Sequence, residues 1–249
     1  MLAPGESIQG MTSVVIPCFN EERRIGPTLD RVVAFLEPRG RPWEIVAVDD
    51  GSADATSDVV RAHAARHPEV RCVRFETNHG KGYAVREGIF ASRGELAVFS
   101  DADLSTPIAE LAKLEARAAA GCDLVVGSRV VSGARILTPQ PPGRRLSGFV
   151  FRSLVRGLGL TGVHDTQCGF KLMRRAAIEP ILRRVETEGF AFDVELLARA
   201  ERAGLRIAEV PIEWRDAEGS KVRLFPDALR MARDLVRLRA RLAATDQVN

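Results

Sequence analysis

Long apolar runs are missing from this sequence. No stretch of about 18 consecutive apolar residues occurs in its 249 residues, which argues against a membrane-spanning helix. A basic start followed by an apolar core is missing as well. Glu6 and Gly10 stand in its place, so residues 1–10 read as a flexible tail rather than a secretory signal, and the expected location is cytoplasmic. Cysteine is sparse and scattered. Cys18, Cys72, Cys122 and Cys168 form no CxxC pair, which excludes a zinc ribbon or dithiol motif and suits reduced thiols. Lysine is scarce too: only four of the 36 basic residues are Lys, and the rest are Arg. Arginine forks suit phosphate, although codon usage in a GC-rich genome gives the same bias. There is no large excess of charge of one sign. Net charge is +3, and nucleic acid is not expected as a partner. What remains is an ordinary globular composition, 45% hydrophobic and 28% charged, long enough to bury a full core.

Apolar runs at 12–17, 43–48, 70–75, 95–100 and 123–127 read as buried strands. Between them lie helical stretches at about 20–36, 54–67, 82–91 and 107–120. Alternation of this kind predicts an α/β fold, a mostly parallel sheet with helices on both faces. Ligands bind such sheets beyond the carboxyl ends of the strands. Those ends carry Pro17–Glu21, Asp49–Ser52, Asn78–Gly82 and Asp101–Asp103. After Arg129 the texture changes: residues 129–164 hold six Arg and no Asp or Glu. Residues 133–144 read as a long loop, 146–158 as an amphipathic helix and 165–173 as extended chain. Residues 174–184 and 193–204 read as helices, 206–213 as an edge strand because Pro211 cannot donate to a ladder, and 226–243 as a basic helix.

Asp101 and Asp103 are two apart at a strand end, so their carboxylates share one side and repel unless a cation separates them. Hard oxygen ligands suit Mg²⁺ or Mn²⁺ bridging to phosphate. Of Asp49 and Asp50, one is expected to accept from a ribose or base and the other to cap the following helix. The turn Asn78-His79-Gly80-Lys81-Gly82 offers backbone N–H groups, a helix start and one ammonium to an anionic ligand.

The ordered set VVIPCFNEE, VAVDDGS, NHGKG, FSDADLSTP, VVGSR, DTQCGFKLM, FAFDVELL and EVPIEWRDAEGSK resembles the family 2 glycosyltransferases. Within that family it is most similar to the polyprenyl- and dolichyl-phosphate sugar synthases, on the glucosyl branch. The resemblance implies a GT-A fold over residues 11–224, with a nucleotide half (11–128) and an acceptor half (129–224). A basic amphipathic helix and tail follow at 225–249. Donor contacts carried over by position are Pro17, Phe19, Glu21, Asp49, Asp50, Lys81, Gly82, Asp101 and Asp103, the last two also holding Mg²⁺ or Mn²⁺. Phe19 replaces a frequent Tyr, and Ser105 replaces the Gln common in mannosyl relatives. Arg129, Arg144, Arg145 and Gln167 would bind the acceptor. Arg129, Lys221 and Asp193 would act in catalysis, Asp193 as base or acceptor-orienting group, with a helix cap as its alternative role.

The implied reaction is inverting transfer of a hexose, glucose by preference, from a nucleoside diphosphate such as UDP to a polyprenyl phosphate. The alternatives are a soluble or glycan hydroxyl acceptor, or GDP-mannose as donor. A lipid acceptor places the reaction at a membrane surface. Two basic stretches, 144–158 with Phe149, Phe151, Leu154 and Val155, and 226–243, could lie there on the cytoplasmic face, and a membrane-protein partner is the other route.

Overall fold

The structure, a computed structural model, describes residues 7–189, 191–216 and 224–246. Four strands come first: β1 (Ile8–Cys18), β2 (Trp43–Asp50), β3 (Val70–Phe75) and β4 (Gly94–Ser100). They are joined through α1 (Ile25–Leu36), α2 (Thr56–Ala64) and α3 (Lys81–Ala91), and all four run parallel. In β1 the period of two sends Val14 and Ile16 to one face and Val15 to the other. Val14 and Ile16 join a cluster with Ile25, Leu29 and Val60 of α1 and α2, and with Leu111 and Leu114 of α4 (Leu111–Ala119). Val15 joins Ala84 and Ile89 of α3, Ile178 and Leu182 of α6 (Arg175–Leu182), and Leu196 of α7 (Phe192–Arg202). Both faces are therefore covered, as the unbroken apolar runs require.

The second half completes the sheet out of sequence order. β7 (Phe170–Arg174) inserts between β4 and β5 (Leu124–Ser128), antiparallel to both. β8 (Ile207–Pro211) pairs parallel with β5 at the edge, where Pro211 fits. The order is β3-β2-β1-β4-β7-β5-β8. A two-stranded parallel sheet of β6 (Arg135–Thr138) and β9 (Glu213–Arg215) stands apart. Helix α5 (Pro142–Gly157) precedes β7, and α8 (Leu224–Asp246) ends the described chain.

Several expected boundaries move. Residues 8–10 belong to β1 rather than a tail, and the Ile8 N–H donates to the Arg93 carbonyl. Helix α1 starts at Ile25 because Asn20, at φ 53°, turns the chain. Its N–H donates to Ser52 Oγ and its Oδ1 accepts from the Ala53 N–H, so residues 20–22 bind the neighbouring turn first. The expected 133–144 loop holds β6 and the start of α5. The described part of the α8 apolar stripe packs on protein. Leu235, Leu238 and Leu242 are buried with Val155, Leu160 and Val194, while Val236 faces solvent.

Candidate active site

Topology gathers the polar residues. The carboxyl ends of parallel β1, β2, β4 and β5 share one edge, and the reversed β7 brings its amino end, with Asp165–Gly169, to the same edge. Beyond β4, the Asp101 N–H donates to the Gly169 carbonyl at 3.2 Å. A Cβ on Gly169 would lie 1.8 Å from Asp101 Oδ2, so only glycine admits the carboxylate there. Lys81 Nζ stands 2.5 Å from Asp101 Oδ1. Burial works against its charge, but Asp101 and Asp193 outweigh it and raise the ammonium above its usual range. Burial and the neighbouring Asp101 push the Asp103 carboxyl up, only partly offset by the Ser105 N–H. The pair is thus short of positive charge, which a divalent cation would supply. Two hard carboxylates fit Mg²⁺ or Mn²⁺. Among the described residues no third His, Cys, Asp or Glu joins them, so diphosphate oxygens and water would complete such a site.

The Gly-rich turn is built differently from the expected anion cradle. Asp50 itself accepts from the His79 N–H (3.0 Å), the Gly80 N–H (2.7 Å) and Asn78 Nδ2 (3.0 Å). The Glu188 carbonyl takes the Gly82 N–H at 2.7 Å and the Tyr83 N–H at 3.2 Å. A Cβ on Gly82 would meet Phe192 Cβ at 2.4 Å, so this glycine serves close packing. What the turn delivers to the cleft is the Lys81 side chain. Asp50 holds the turn, and neither aspartate caps α2; Asp54 accepts the Thr56 N–H instead. Asp49 Oδ1 takes the Ser52 N–H at 2.9 Å, while its buried Oδ2 accepts no hydrogen bond, with Arg74 3.6 Å away. Pro17 lies within β1, Phe19 is exposed at its tip, and Glu21 pairs with Arg24 at 2.6 Å.

Across the cleft, Arg129 forks onto Asp165, Nε to Oδ2 and Nη2 to Oδ1, both at 2.8 Å. Its guanidinium sits 5.4 Å from the Trp214 ring. Burial opposes both charges, yet each stabilises the other's: the guanidinium is driven up and the Asp165 carboxyl down. Burial and the like charge of Arg129 lower Arg152. Two cations facing one cleft suit an anion. Arg144 donates through Nη1 to Asp216 Oδ1 at 2.9 Å and also lines the cleft.

Asp193 lies in the first turn of α7, with Ala191 as the cap residue and no side-chain cap bond. Its Oδ1 accepts from the fully buried Lys171 at 2.5 Å, and Lys171 also donates to the Cys168 carbonyl. Lys171, which fixes Asp193 from below the cleft, is a residue to which pattern reading assigns no role. The available signal was a lysine inside an apolar strand, which demands a counter-ion. Lys221 lies outside the described residues.

Lys81, Asp101, Asp103, Arg129, Arg144, Arg145, Gln167 and Asp193 line one cleft of about 1300 Å³, together with Arg152. Pro17, Phe19, Glu21, Asp49, Asp50 and Gly82 are not among its lining residues. An apolar wall from α5, including Leu146, Phe149 and Val150, flanks the cleft.

Residues 13–182 match the family described as glycosyl transferase family 2. The dolichyl-phosphate beta-glucosyltransferase of Trichomonas vaginalis is 38% identical over 237 residues, covering 91% of this chain and 70% of that one. The Saccharomyces cerevisiae enzyme of the same name is 37% identical over 245 residues (91% and 73%), and the Homo sapiens one 37% over 246 (92% and 75%). Among solved structures, glucosyl-3-phosphoglycerate synthase from Mycobacterium tuberculosis, in complex with Mn²⁺, UDP and phosphoglyceric acid, superposes with a TM-score of 0.70. It is 24% identical, with 92% of this chain and 76% of that chain covered, and the likeness is one of fold. With a GT-A-like sheet, an aspartate pair beyond β4 and a match across 13–182, this chain belongs to glycosyl transferase family 2.

Proposed function

We propose that this protein transfers glucose from UDP-glucose to a dolichyl or other polyprenyl phosphate, with inversion at the anomeric carbon. The observation that carries this reading is that Asp101, Asp103 and Lys81 line the same cleft as Arg129, Arg145 and Arg152. The names of the relatives at 37–38% identity supply the sugar and the acceptor.

In this reading a phosphate oxygen of the acceptor forms a bond to the anomeric carbon while the bond to the UDP oxygen breaks. A phosphate monoester has a second pKa of ~6 and is largely dianionic near pH 7, so it needs positioning more than deprotonation. Arg129, locked by Asp165, and Arg152 beside it provide that positioning. Lys81 offsets charge developing on the leaving diphosphate. A divalent cation held by Asp101 and Asp103 supplies further neutralisation of that charge when bound. Asp193 faces the acceptor with one oxygen already taken by Lys171 and serves to orient rather than to deprotonate.

The exposed face of α5 carries Leu146, Phe149 and Val150 between Arg145 and Arg156. It suits peripheral attachment to the cytoplasmic face of an anionic membrane. Among the described residues no helix is long and apolar enough to cross a membrane.

The test offers UDP-glucose or GDP-mannose with a short polyprenyl phosphate, with and without Mn²⁺ or Mg²⁺, and follows product by mass spectrometry. A glucosyl lipid phosphate formed only with UDP-glucose and metal is expected. Turnover restricted to a soluble hydroxyl acceptor would overturn the reading.

A further inference from the structure

A second polar cluster lies behind α7, away from the cleft. Glu195, fully buried, accepts the Thr187 N–H at 2.9 Å and the Thr187 hydroxyl at 2.5 Å. Arg199 donates to its other oxygen at 2.8 Å. From α8, Arg241 pairs with Glu186 at 2.6 Å, donates to Thr187 Oγ1 at 3.2 Å and stands 3.6 Å from Glu195. Residues 186 and 187 are thus gripped from α7 and α8 together. The next carbonyl, that of Glu188, is the acceptor for the Gly82 and Tyr83 N–H groups at the start of α3. The residue just before them is Lys81, paired with Asp101.

We propose that Glu195 and Arg241 are positioning residues for the donor site: by fixing residues 186 and 187 they fix the start of α3 and hence the Lys81 ammonium beside Asp101. Arg241, on the helix that ends the described chain, then serves the donor site although it does not line the cleft. Glu195 is fully buried, and a buried carboxylate is costly to retain unless its oxygens are satisfied. Here the bonds converge on Glu186 and Thr187, next to the Glu188 carbonyl that accepts from the start of α3. The role rests on the transfer reading, because Lys81 matters to rate only if the cleft binds a diphosphate donor.

The test combines kinetics with amide exchange. Arg241→Ala is expected to raise the donor KM about tenfold and to leave the acceptor KM unchanged, with the effect absent in a Lys81→Ala background. Independently of activity, exchange of the Gly82 and Tyr83 amides should speed up in Arg241→Ala while α2 amides stay as they were. Thr187→Val, which removes one hydroxyl, serves as the second variant should Arg241→Ala not fold. If wild type turns over no donor, the transfer reading fails and the clamp is judged on exchange alone. Effects of Arg241 and Lys81 that multiply, or unchanged exchange at Gly82 and Tyr83, would overturn it.

Discussion

A β-carbon on residue 169 would sit 1.8 Å from Asp101 Oδ2, closer than any two non-bonded atoms approach. Gly169→Ala therefore displaces the carboxylate, or the start of β7, by about an ångström. Misplacement on that scale costs on the order of 10²-fold in rate. The variant is expected to keep its circular dichroism spectrum and lose kcat by about that factor, and full activity would show that Asp101 can move without penalty. At this scale legibility was uneven. Asp101 and Asp103 stand out as an acidic pair straight after an apolar run. Asp165 and Lys171 do not, because each is defined by a partner far along the chain, Arg129 and Asp193. Asp50 reads as a ligand contact, and in the structure it also accepts from its own neighbouring turn. A carboxylate beside a Gly-rich turn satisfies either role, and only the fold decides.

The two amphipathic stretches part company once their neighbours are known. In α8, Leu235, Leu238 and Leu242 are buried in the protein. In α5 the inward face is Phe151, Leu154 and Val155, while Leu146 and Phe149 are 64% and 62% exposed. Periodicity made both helices legible, but it cannot say whether the apolar stripe meets protein or lipid. Wild type is expected to float with anionic vesicles at low salt and to be released as salt rises. Phe149→Glu combined with Val150→Glu should abolish flotation without changing the melting temperature, since neither side chain is buried. Unaltered flotation of the double variant would move the lipid contact elsewhere.

Taken whole, the sheet divides its labour between its edges. The carboxyl edge holds the charged groups of the cleft, and the opposite edge holds a buried carboxylate with only a structural task. Glu44, near the start of β2, accepts from Ser13 Oγ at 2.7 Å and from Arg71 and Arg93 at 3.0 Å each, joining β1 and β3 to the entrance of β4. Burial alone would raise its carboxyl, but the Ser13 hydroxyl and the Arg93 and Arg71 donors outweigh it, and it lies below the usual carboxylate range. A depressed carboxyl stabilises the fold above the unfolded-state value, and that contribution is lost as pH falls through the folded one. Glu44→Gln should cost about 1.5–3 kcal/mol at pH 7, measured by urea unfolding. The gap should close as wild type is taken below about pH 4.5. A gap constant with pH would mean that its charge contributes nothing.

Strand and helix alternation made the parallel half of this sheet readable from composition and period alone. The reversal of β7 was not readable, since a strand buried on both faces looks the same in either direction. That reversal has a further consequence. Among the described residues β5 pairs with β7 and β8, both made later, so when a ribosome has delivered residue 128 the newly made strand has no strand partner to zip onto. The exposed side of β4 must likewise wait until residue 174 emerges. The two halves that look separable along the chain are interlocked in space, and synthesis leaves two unpaired edges in need of protection for about the length of the intervening 46 residues.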